Sequence, residues 1–193
     1  MIKTEEDILN LIQSDEWMMK IIKAASALDL PDWWVCAGFV RSKVWDALHS
    51  YTTRTPLPDI DVIYYDRNDV SEEKEKQLER RLLQQYPQAP WSVKNQARMH
   101  VVNKVPPYKN SMEAMSKYPE TATAIGVKLN GDNNLVLASP CGLQDLVNLT
   151  VKPTATFRTS PDLVTIYEKR LKEKNWQELW PNITVLHAEG VKS

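Results

Sequence analysis

The 193-residue chain is poor in glycine and cysteine, and charge of neither sign predominates. It contains five Gly and two Cys, and its 24 Lys and Arg stand against 25 Asp and Glu, which gives a formal net charge of −1. A balance this even excludes an overall positive field that would attract nucleic acid, although a local basic patch stays open. Because Gly is scarce, each Gly is expected to have a positional role.

The two cysteines, Cys36 and Cys141, occur in a chain without a signal peptide. Both features favour reduced thiols in a cytoplasmic protein over a disulfide framework. No run reaches the roughly 20 apolar residues that cross a membrane, so we expect no membrane partner. The length predicts one domain, residues 1–193, with a helical segment over residues 1–30. These features do not predict the oligomeric state.

Hydrophobic periodicity predicts short strands that alternate with helices. Residues 95–103 fit either a loop or a helical turn. At least four of the seven Trp fall on apolar faces, which favours a role in core packing over one in base stacking. Beyond residue 30, helices are expected over 39–49, 71–86, 111–118, 140–149 and 161–174, strands over 33–37, 60–65 and 91–93, and a hairpin around the turn at 130–134.

Two carboxylates, Asp59 and Asp61, form an Asp-x-Asp sequence where a strand is predicted to begin. Residues two apart on a strand point to the same face, so the two carboxylates are expected to lie together. Unless they are solvated or bind a cation, their repulsion raises the pKa of one of them. Mg²⁺ binds through one or two carboxylates plus phosphate oxygens and waters, which such a pair suits. The alternative is that Asp59 ends a Pro-rich turn and Asp61 faces solvent.

A second candidate feature is the turn at Gly38, between an apolar strand and a predicted helix. The N-terminus of a helix offers free backbone N–H groups and the positive end of its dipole, which together bind anions. Arg41, in the first turn of this helix, would add a charge-assisted contact to a phosphate. Together, the Gly38 turn and the Asp-x-Asp pair indicate a site for a metal and a nucleoside triphosphate.

The segments GFVRSKVWD and DIDVIYYD resemble the signature of the nucleotidyltransferase superfamily, in which Gly at a strand–helix turn is followed by Asp-hydrophobic-Asp on the next strand. The Gly-x-Val-Arg spelling is most similar to the head domain of CCA-adding enzymes and bacterial poly(A) polymerases. Further stretches, WSVKNQARMH, TATAIGVKL and GLQDLVNLTVKPT, resemble a small bacterial nucleotidyltransferase-like family with this head. The resemblance covers a core of about residues 33–181, and it implies an α/β (α+β) fold: a short mixed β-sheet with flanking helices.

The resemblance also implies an activity, the transfer of a nucleotidyl group from a nucleoside triphosphate to an acceptor hydroxyl. Asp59 and Asp61 would be the catalytic residues and would hold Mg²⁺ or Mn²⁺. The acceptor is left open among RNA, a protein and a small molecule. CCA addition to tRNA is not expected, because the chain ends soon after the head-like stretch. The nucleotide-binding residues implied are Gly38, Phe39, Arg41, Ser42, Asn95 and Arg98.

Three positions depart from the superfamily pattern. Ala37 stands where the first Gly of the signature is often found, and Ser42 stands where CCA-adding enzymes have Asp. The third carboxylate is not evident, because Ser92 occupies the position on the next strand that would be acidic. The alternative function is therefore a catalytically degenerate nucleotide-binding or regulatory module of the same fold.

Two polar groups outside the signature are open to more than one interpretation. Asn95, Arg98 and their polar neighbours would line the nucleotide cleft, or they would form a surface loop in which Asn95 caps a turn. A basic run that includes Arg170 lies at the end of a predicted helix, where positive charge favours the helix dipole. We expect this basic run to have a structural role and only a minor role in binding RNA.

Overall fold

The structure is a computed structural model of the protein, and it describes residues 2–103 and 105–188. The remaining positions of the predicted 1–193 domain lie outside the described residues. The α-helices are α1 (Glu5–Gln13), α2 (Glu16–Ser26), α3 (Gly38–Leu48), α4 (Glu72–Gln85), α5 (Gln96–Asn103), α6 (Ser111–Ser116), α7 (Gln144–Val147), α8 (Pro161–Lys174) and α9 (Trp176–Leu179). The strands are β1 (Trp34–Cys36), β2 (Ile60–Tyr64), β3 (Trp91–Asn95), β4 (Gly126–Leu129), β5 (Leu135–Ala138), β6 (Thr150–Val151) and β7 (Thr184–Val185).

Five strands form one mixed sheet in the order β3-β2-β1-β4-β5. Strand β1 is antiparallel to both β2 and β4, β4 is antiparallel to β5, and β2 is parallel to β3. The fold class implied by the resemblance, a short mixed sheet with flanking helices, is therefore confirmed. Strands β6 and β7 form a separate parallel pair near the end of the chain.

The two faces of the sheet bury different side chains, because successive residues of a strand point to opposite sides. Val35, Val62 and Val93 join a large core cluster with apolar residues of α1–α4. Trp34, Cys36 and Ile63 lie in a smaller cluster that Met115 of α6 covers. Asp61 falls between two residues of the large cluster, so its side chain is on the opposite face, the one that α6 covers only in part.

The helices begin where short polar side chains can accept from their free N–H groups. Thr4 and Asp7 form a capping box at α1, while Asp15, Ser71 and Ser160 cap α2, α4 and α8. The ambiguous segment 95–103 is mostly helical. The helix predicted over 140–149 is wrong in extent, since Gly142 adopts a left-handed φ of 76° and only Gln144–Val147 is helical.

The end of the described chain packs against α3. The indole of Trp45 on α3 makes edge contacts with Trp176 and Trp180, at centroid distances of 6.0 and 5.2 Å. The Trp180 N–H donates to buried Asp46 at 2.8 Å. The expectation that the tryptophans pack in the core is borne out here, and α9 is held directly against the helix that begins at Gly38.

Candidate nucleotide site

The turn between β1 and α3 leaves a helix N-terminus without a side-chain cap among the described residues. Ala37 carries φ 58° and ψ −124°, a backbone conformation that Gly adopts readily and other residues rarely do. Gly38 itself has no such requirement, since an added Cβ would meet only Arg41 Nη2 at 3.5 Å and Leu57 Cδ2 at 4.0 Å. The backbone conformation that favours Gly is therefore found at position 37, which is Ala in this chain, and not at Gly38.

Arg41 folds back beside this turn and is largely buried, with 7% of its surface exposed. Its Nη1 donates to Thr123 Oγ1 at 2.9 Å, and its guanidinium lies 4.6 and 5.2 Å from the ring centroids of Trp176 and Trp45. Burial lowers the pKa of Arg41 to about 10, so the group stays protonated at neutral pH. Contacts from two distant parts of the chain hold this cation at the start of α3.

Asp61 is the second residue of β2, and its register partners are Cys36 on β1 and Ser92 on β3. Asp59 is exposed and stands just before the strand. Burial and then the charge of Asp59 raise the pKa of Asp61, the hydrogen bond with the Ser92 hydroxyl opposes the rise, and the net value is about 6. Asp59 is thus near enough for its charge to act on Asp61, although it lies before β2 and not on the strand as predicted, and the net rise in pKa indicates poorly compensated negative charge.

The neighbour of Asp61 on β1 is a neutral group, the thiol of Cys36. Cys36 Sγ lies 3.2 Å from the Tyr118 hydroxyl, and Cys36 is fully buried. Burial and the charge of Asp61 raise the pKa of Cys36 well above its usual value, so the thiol is protonated at neutral pH. Cys36 is therefore neither a thiolate nucleophile nor a charge that competes with the carboxylates.

The position of the expected third acid is occupied by Ser92, which pairs directly with Asp61 in the sheet. Across the described ranges 2–103 and 105–188, no group of three or more His, Cys, Asp or Glu is placed to hold a metal ion. The candidate metal site consists of Asp59 and Asp61, with a hydroxyl where a third carboxylate would stand.

Asn95 and Arg98 lie away from this pair. Asn95 pairs with Tyr64 at the opposite end of β2 and is fully buried. Its amide oxygen accepts from the backbone N–H groups of Asp66 and Ala97, and its amide nitrogen donates to two carbonyls of the loop that follows β2. Asn95 thus organises a loop, and we leave it out of the candidate site.

Arg98 is engaged in a separate ion pair. Its Nε and Nη2 donate to the buried carboxylate of Glu75 at 3.1 and 2.7 Å. Glu75 in turn accepts from the Asn95 N–H at 2.8 Å, so it closes the outer edge of β3. This network holds α4 to the sheet, and the structure does not bring Arg98 to the two Asp residues.

Phe39 and Ser42 are placed on the inner side of α3. Phe39 is 1% exposed and packs against Trp17, and Ser42 is 4% exposed. Their side chains are therefore directed into the protein, and a nucleotide at this turn would meet the backbone of Phe39. Gly38 and Arg41 are the predicted nucleotide-binding residues that the structure places at the turn itself.

Residues outside the predicted site complete the surroundings of Arg41. Thr123 accepts from it, and Trp176 packs against it. Glu120 is fully buried and accepts from Arg170 Nε on α8. The sequence signals for these residues are indirect: Thr123 lies in the TATAIGVKL stretch of the family resemblance, and Arg170 lies in a basic run that a helix dipole also explains.

The fold and the site together define a nucleotidyltransferase head. Asp61 on β2 pairs with Cys36 of β1, the strand that leads to the uncapped helix N-terminus with Arg41, and Asp59 stands just before β2. The model of a nucleotidyltransferase family matches residues 23–185. The chain therefore belongs to this nucleotidyltransferase family, as the resemblance implied.

Solved structures support the same fold. The chain is 38% identical to a protein whose NMR structure is described as revealing a CCA-adding enzyme head domain, over 96% of this chain and 97% of that one, with a TM-score of 0.87. It is also similar to the Thermotoga maritima CCA-adding enzyme complexed with tRNA, at 13% identity and a TM-score of 0.54 over 95% of this chain and 42% of that one. An apo CCA-adding enzyme gives 12% identity and a TM-score of 0.55, over 92% and 42% of the two chains.

At 12 and 13% identity the last two likenesses support the fold alone. No curated protein matches the chain. Within residues 2–103 and 105–188, no helix has both the length and the apolar character needed to cross a membrane.

Proposed function

We propose that this protein transfers a nucleotidyl group from a nucleoside triphosphate to an acceptor hydroxyl in the cytoplasm, with Mg²⁺ held by Asp59 and Asp61. The observation that carries the proposal is the placement of a poorly compensated Asp pair beside an anion-binding helix N-terminus. Membership of the nucleotidyltransferase family supports the reaction class. The metal, the nucleotide and the acceptor belong to the proposal.

The donor set fits a small divalent cation. Burial and repulsion between the carboxylates of Asp59 and Asp61 raise the pKa of Asp61. A cation relieves both, and Mg²⁺ accepts one or two carboxylates with its other positions left to phosphates and water. When bound, Mg²⁺ would neutralise charge on the phosphate oxygens and lower the pKa of the acceptor hydroxyl.

The residues of the chain supply the anion-binding half of the site. The N-terminus of α3 presents its dipole and free N–H groups to a phosphate, and Arg41 adds a full positive charge at the same place. Because Thr123 and Trp176 already fix the guanidinium, little side-chain entropy is lost when an anion binds. The site would act by positioning and by electrostatic stabilisation, without a covalent intermediate on the protein.

One observation favours a second candidate, a nucleotide-binding or regulatory module without turnover. Ser92 faces Asp61 where a third carboxylate would support the metal that activates the acceptor. A hydroxyl is a weaker metal ligand than a carboxylate, so binding would survive while transfer is slowed or lost.

Titration with ATP, CTP, GTP and UTP in the presence of Mg²⁺ tests both candidates, read from the amide NMR signals of Gly38 and Asp61. Both candidates predict saturable shifts with at least one nucleotide, which weaken in the Asp61→Asn variant. If none of the four nucleotides perturbs these signals, both are wrong. Asp162→Asn, an exposed residue at the start of α8, is the control for loss of a carboxylate.

Radiolabelled nucleotide separates transfer from binding alone. Label recovered in RNA, in the protein itself or in a small acceptor, and absent with Asp61→Asn, supports the enzyme and identifies the acceptor class. Nucleotide that binds but is never transferred supports the module. Transfer that appears only in Ser92→Asp or Ser92→Glu would show that the missing acid is the cause.

A further inference from the structure

Arg170 on α8 lies outside the signature segments. Like Arg41, it contacts the ring of Trp176. Its Nε donates to Glu120, and its side chain keeps 30% of its surface exposed. Within the described part of the chain, this is the one hydrogen bond that the Arg170 guanidinium makes. Its two terminal nitrogens, which form the fork that binds carboxylates and phosphates, thus donate no hydrogen bond to the described residues.

The two arginines share contact with one tryptophan, Trp176. The guanidinium carbons of Arg41 and Arg170 are 4.6 and 5.8 Å from the ring centroid of Trp176. Trp176 is 5% exposed, and its π face attracts both cations. The charge of Arg170 lowers the pKa of Arg41, as expected for neighbouring cations.

Arg170 also acts on the acid pair. Burial and Asp59 raise the pKa of Asp61, and the positive charges of Arg170 and Arg41 oppose that rise. Two cations from distant parts of the sequence therefore share the electrostatic environment of Asp61. Neither cation makes an ion pair with Asp59 or Asp61 within 4 Å among the described residues, so both stay available to a ligand.

The balance of charge in this cluster favours an anionic ligand. Among the described residues, the fully buried Glu120 carboxylate is the counter-charge of this cluster, and its one ion pair is with Arg170. Arg41 Nε and Glu120 Oε2 are both buried without a hydrogen-bond partner among the described residues. Once a cation neutralises Asp59 and Asp61, the two guanidiniums together exceed the charge of Glu120 by one unit.

We propose that Arg170 and Arg41 form a guanidinium pair that binds the triphosphate of the nucleotide, with Glu120 as the positioning residue for Arg170. This inference rests on the proposed function and extends its phosphate site beyond the Gly38 turn. Arg41 would contact the anion from the helix N-terminus, and Arg170 from α8.

The test compares ligands that differ in phosphate number. Binding of a Mg²⁺–nucleoside triphosphate, the matching monophosphate and inorganic tripolyphosphate is measured by calorimetry for the native chain and for Arg170→Gln. We expect Arg170→Gln to weaken triphosphate and tripolyphosphate binding roughly ten- to hundredfold, the range for a lost charge-assisted contact, with a smaller effect on the monophosphate. Lys169→Gln, a neighbouring change at a side chain that is 74% exposed, is the matched control and should leave all three affinities unchanged.

Removal of Arg170 alone leaves Glu120 buried without its partner, which is destabilising whatever else Arg170 does. The double variant Glu120→Gln/Arg170→Gln removes both charges and provides a folded background for the same measurements. If the double variant distinguishes triphosphate from monophosphate as well as the native chain does, Arg170 has only a structural role and the inference is wrong. Absence of triphosphate binding by the native chain would instead overturn the proposed function.

Discussion

Asp61 is a largely buried carboxylate with a second carboxylate, Asp59, nearby. Its pKa of about 6 in the folded protein, against 3.8 for the ordinary side chain, means that the native state binds a proton more tightly than the unfolded state does. Stability from this group is full below pH 4 and is lost as the pH rises through 6. The ionised side chain is thus a cost to the fold at neutral pH.

We predict that Asp61→Asn stabilises the protein at pH 7.5 by about 1–3 kcal/mol, since about two pKa units convert to roughly that amount. The gain should be smaller at pH 4, where the native Asp61 is protonated. Urea denaturation of both proteins at the two pH values measures the difference. Asp59→Asn, at an exposed position, should change stability less, and a destabilised Asp61→Asn at neutral pH would contradict the electrostatic account.

Ala37 carries backbone strain at the turn into α3. Its φ of 58° with ψ of −124° lies in a region that costs a residue with a side chain about 1–3 kcal/mol. Ala37→Gly removes that strain, but Gly loses more conformational entropy on folding, which costs about 0.5–1 kcal/mol. We therefore expect the free energy of unfolding to rise by about 1 kcal/mol.

The midpoint of chemical denaturation checks this, with Ala47→Gly inside α3 as the control. At Ala47 the same change should destabilise the protein by about 1 kcal/mol, because the residue is helical. Equal losses at both positions would mean that Ala37 is not strained.

At the scale of elements, α4 is tied to β3 by carboxylates that accept from the edge of the strand. Glu75 accepts from Asn95 N–H and Glu79 accepts from Val93 N–H, while Arg98 pairs with the fully buried Glu75. These contacts give Asn95 and Arg98, which the sequence placed either in a nucleotide cleft or in a surface loop, a structural role instead.

We predict that Arg98→Gln destabilises the protein by about 1–3 kcal/mol, because Glu75 is left with only Lys94, at 3.6 Å, as a positive neighbour. The affinity for a Mg²⁺–nucleoside triphosphate should not change when measured well below the melting temperature. Arg67→Gln, on an exposed loop, controls for the loss of charge. A fall in affinity beyond that of the control would restore Arg98 to the nucleotide site.

At the scale of the whole molecule, the site joins three separate parts of the chain. Arg41 comes from α3, Thr123 from the segment before β4, and Trp176 from α9. Ligand binding at such a site should raise the stability of the fold as a unit, because none of the three parts is complete alone.

We expect a Mg²⁺–nucleoside triphosphate at about 100 times its Kd to stabilise the native chain by roughly 2.7 kcal/mol at pH 8. The effect should shrink at pH 5, where Asp61 with a pKa of about 6 is mostly protonated and metal binding must displace that proton. Thermal unfolding with and without ligand at both pH values measures it. A ligand-induced shift that is the same at pH 5 and pH 8 would exclude Asp61 as a metal ligand.

Much of the fold and half of the candidate site were predictable from local patterns. Asp59 and Asp61 follow from spacing on a strand, and the Gly38 turn with Arg41 follows from a strand–helix junction. Asn95 and Arg98 were left open, because a polar cluster reads the same in the sequence whether it faces a ligand or satisfies buried backbone groups. The length of α7 was overestimated because the left-handed turn at Gly142 delays the start of that helix.

The sequence by itself determined where charge and backbone freedom are available: an Asp pair on a strand, a turn at Gly38 and a serine in place of the third acid. Only the tertiary structure decided how that charge is balanced. The packing of α8 and α9 against α3 brings Trp176 and Arg170 to Arg41, more than 100 residues away, and burial sets the pKa of Asp61. Contacts between distant segments leave no pattern in the local sequence. The desolvation of a group depends on all the residues that surround it in the folded protein.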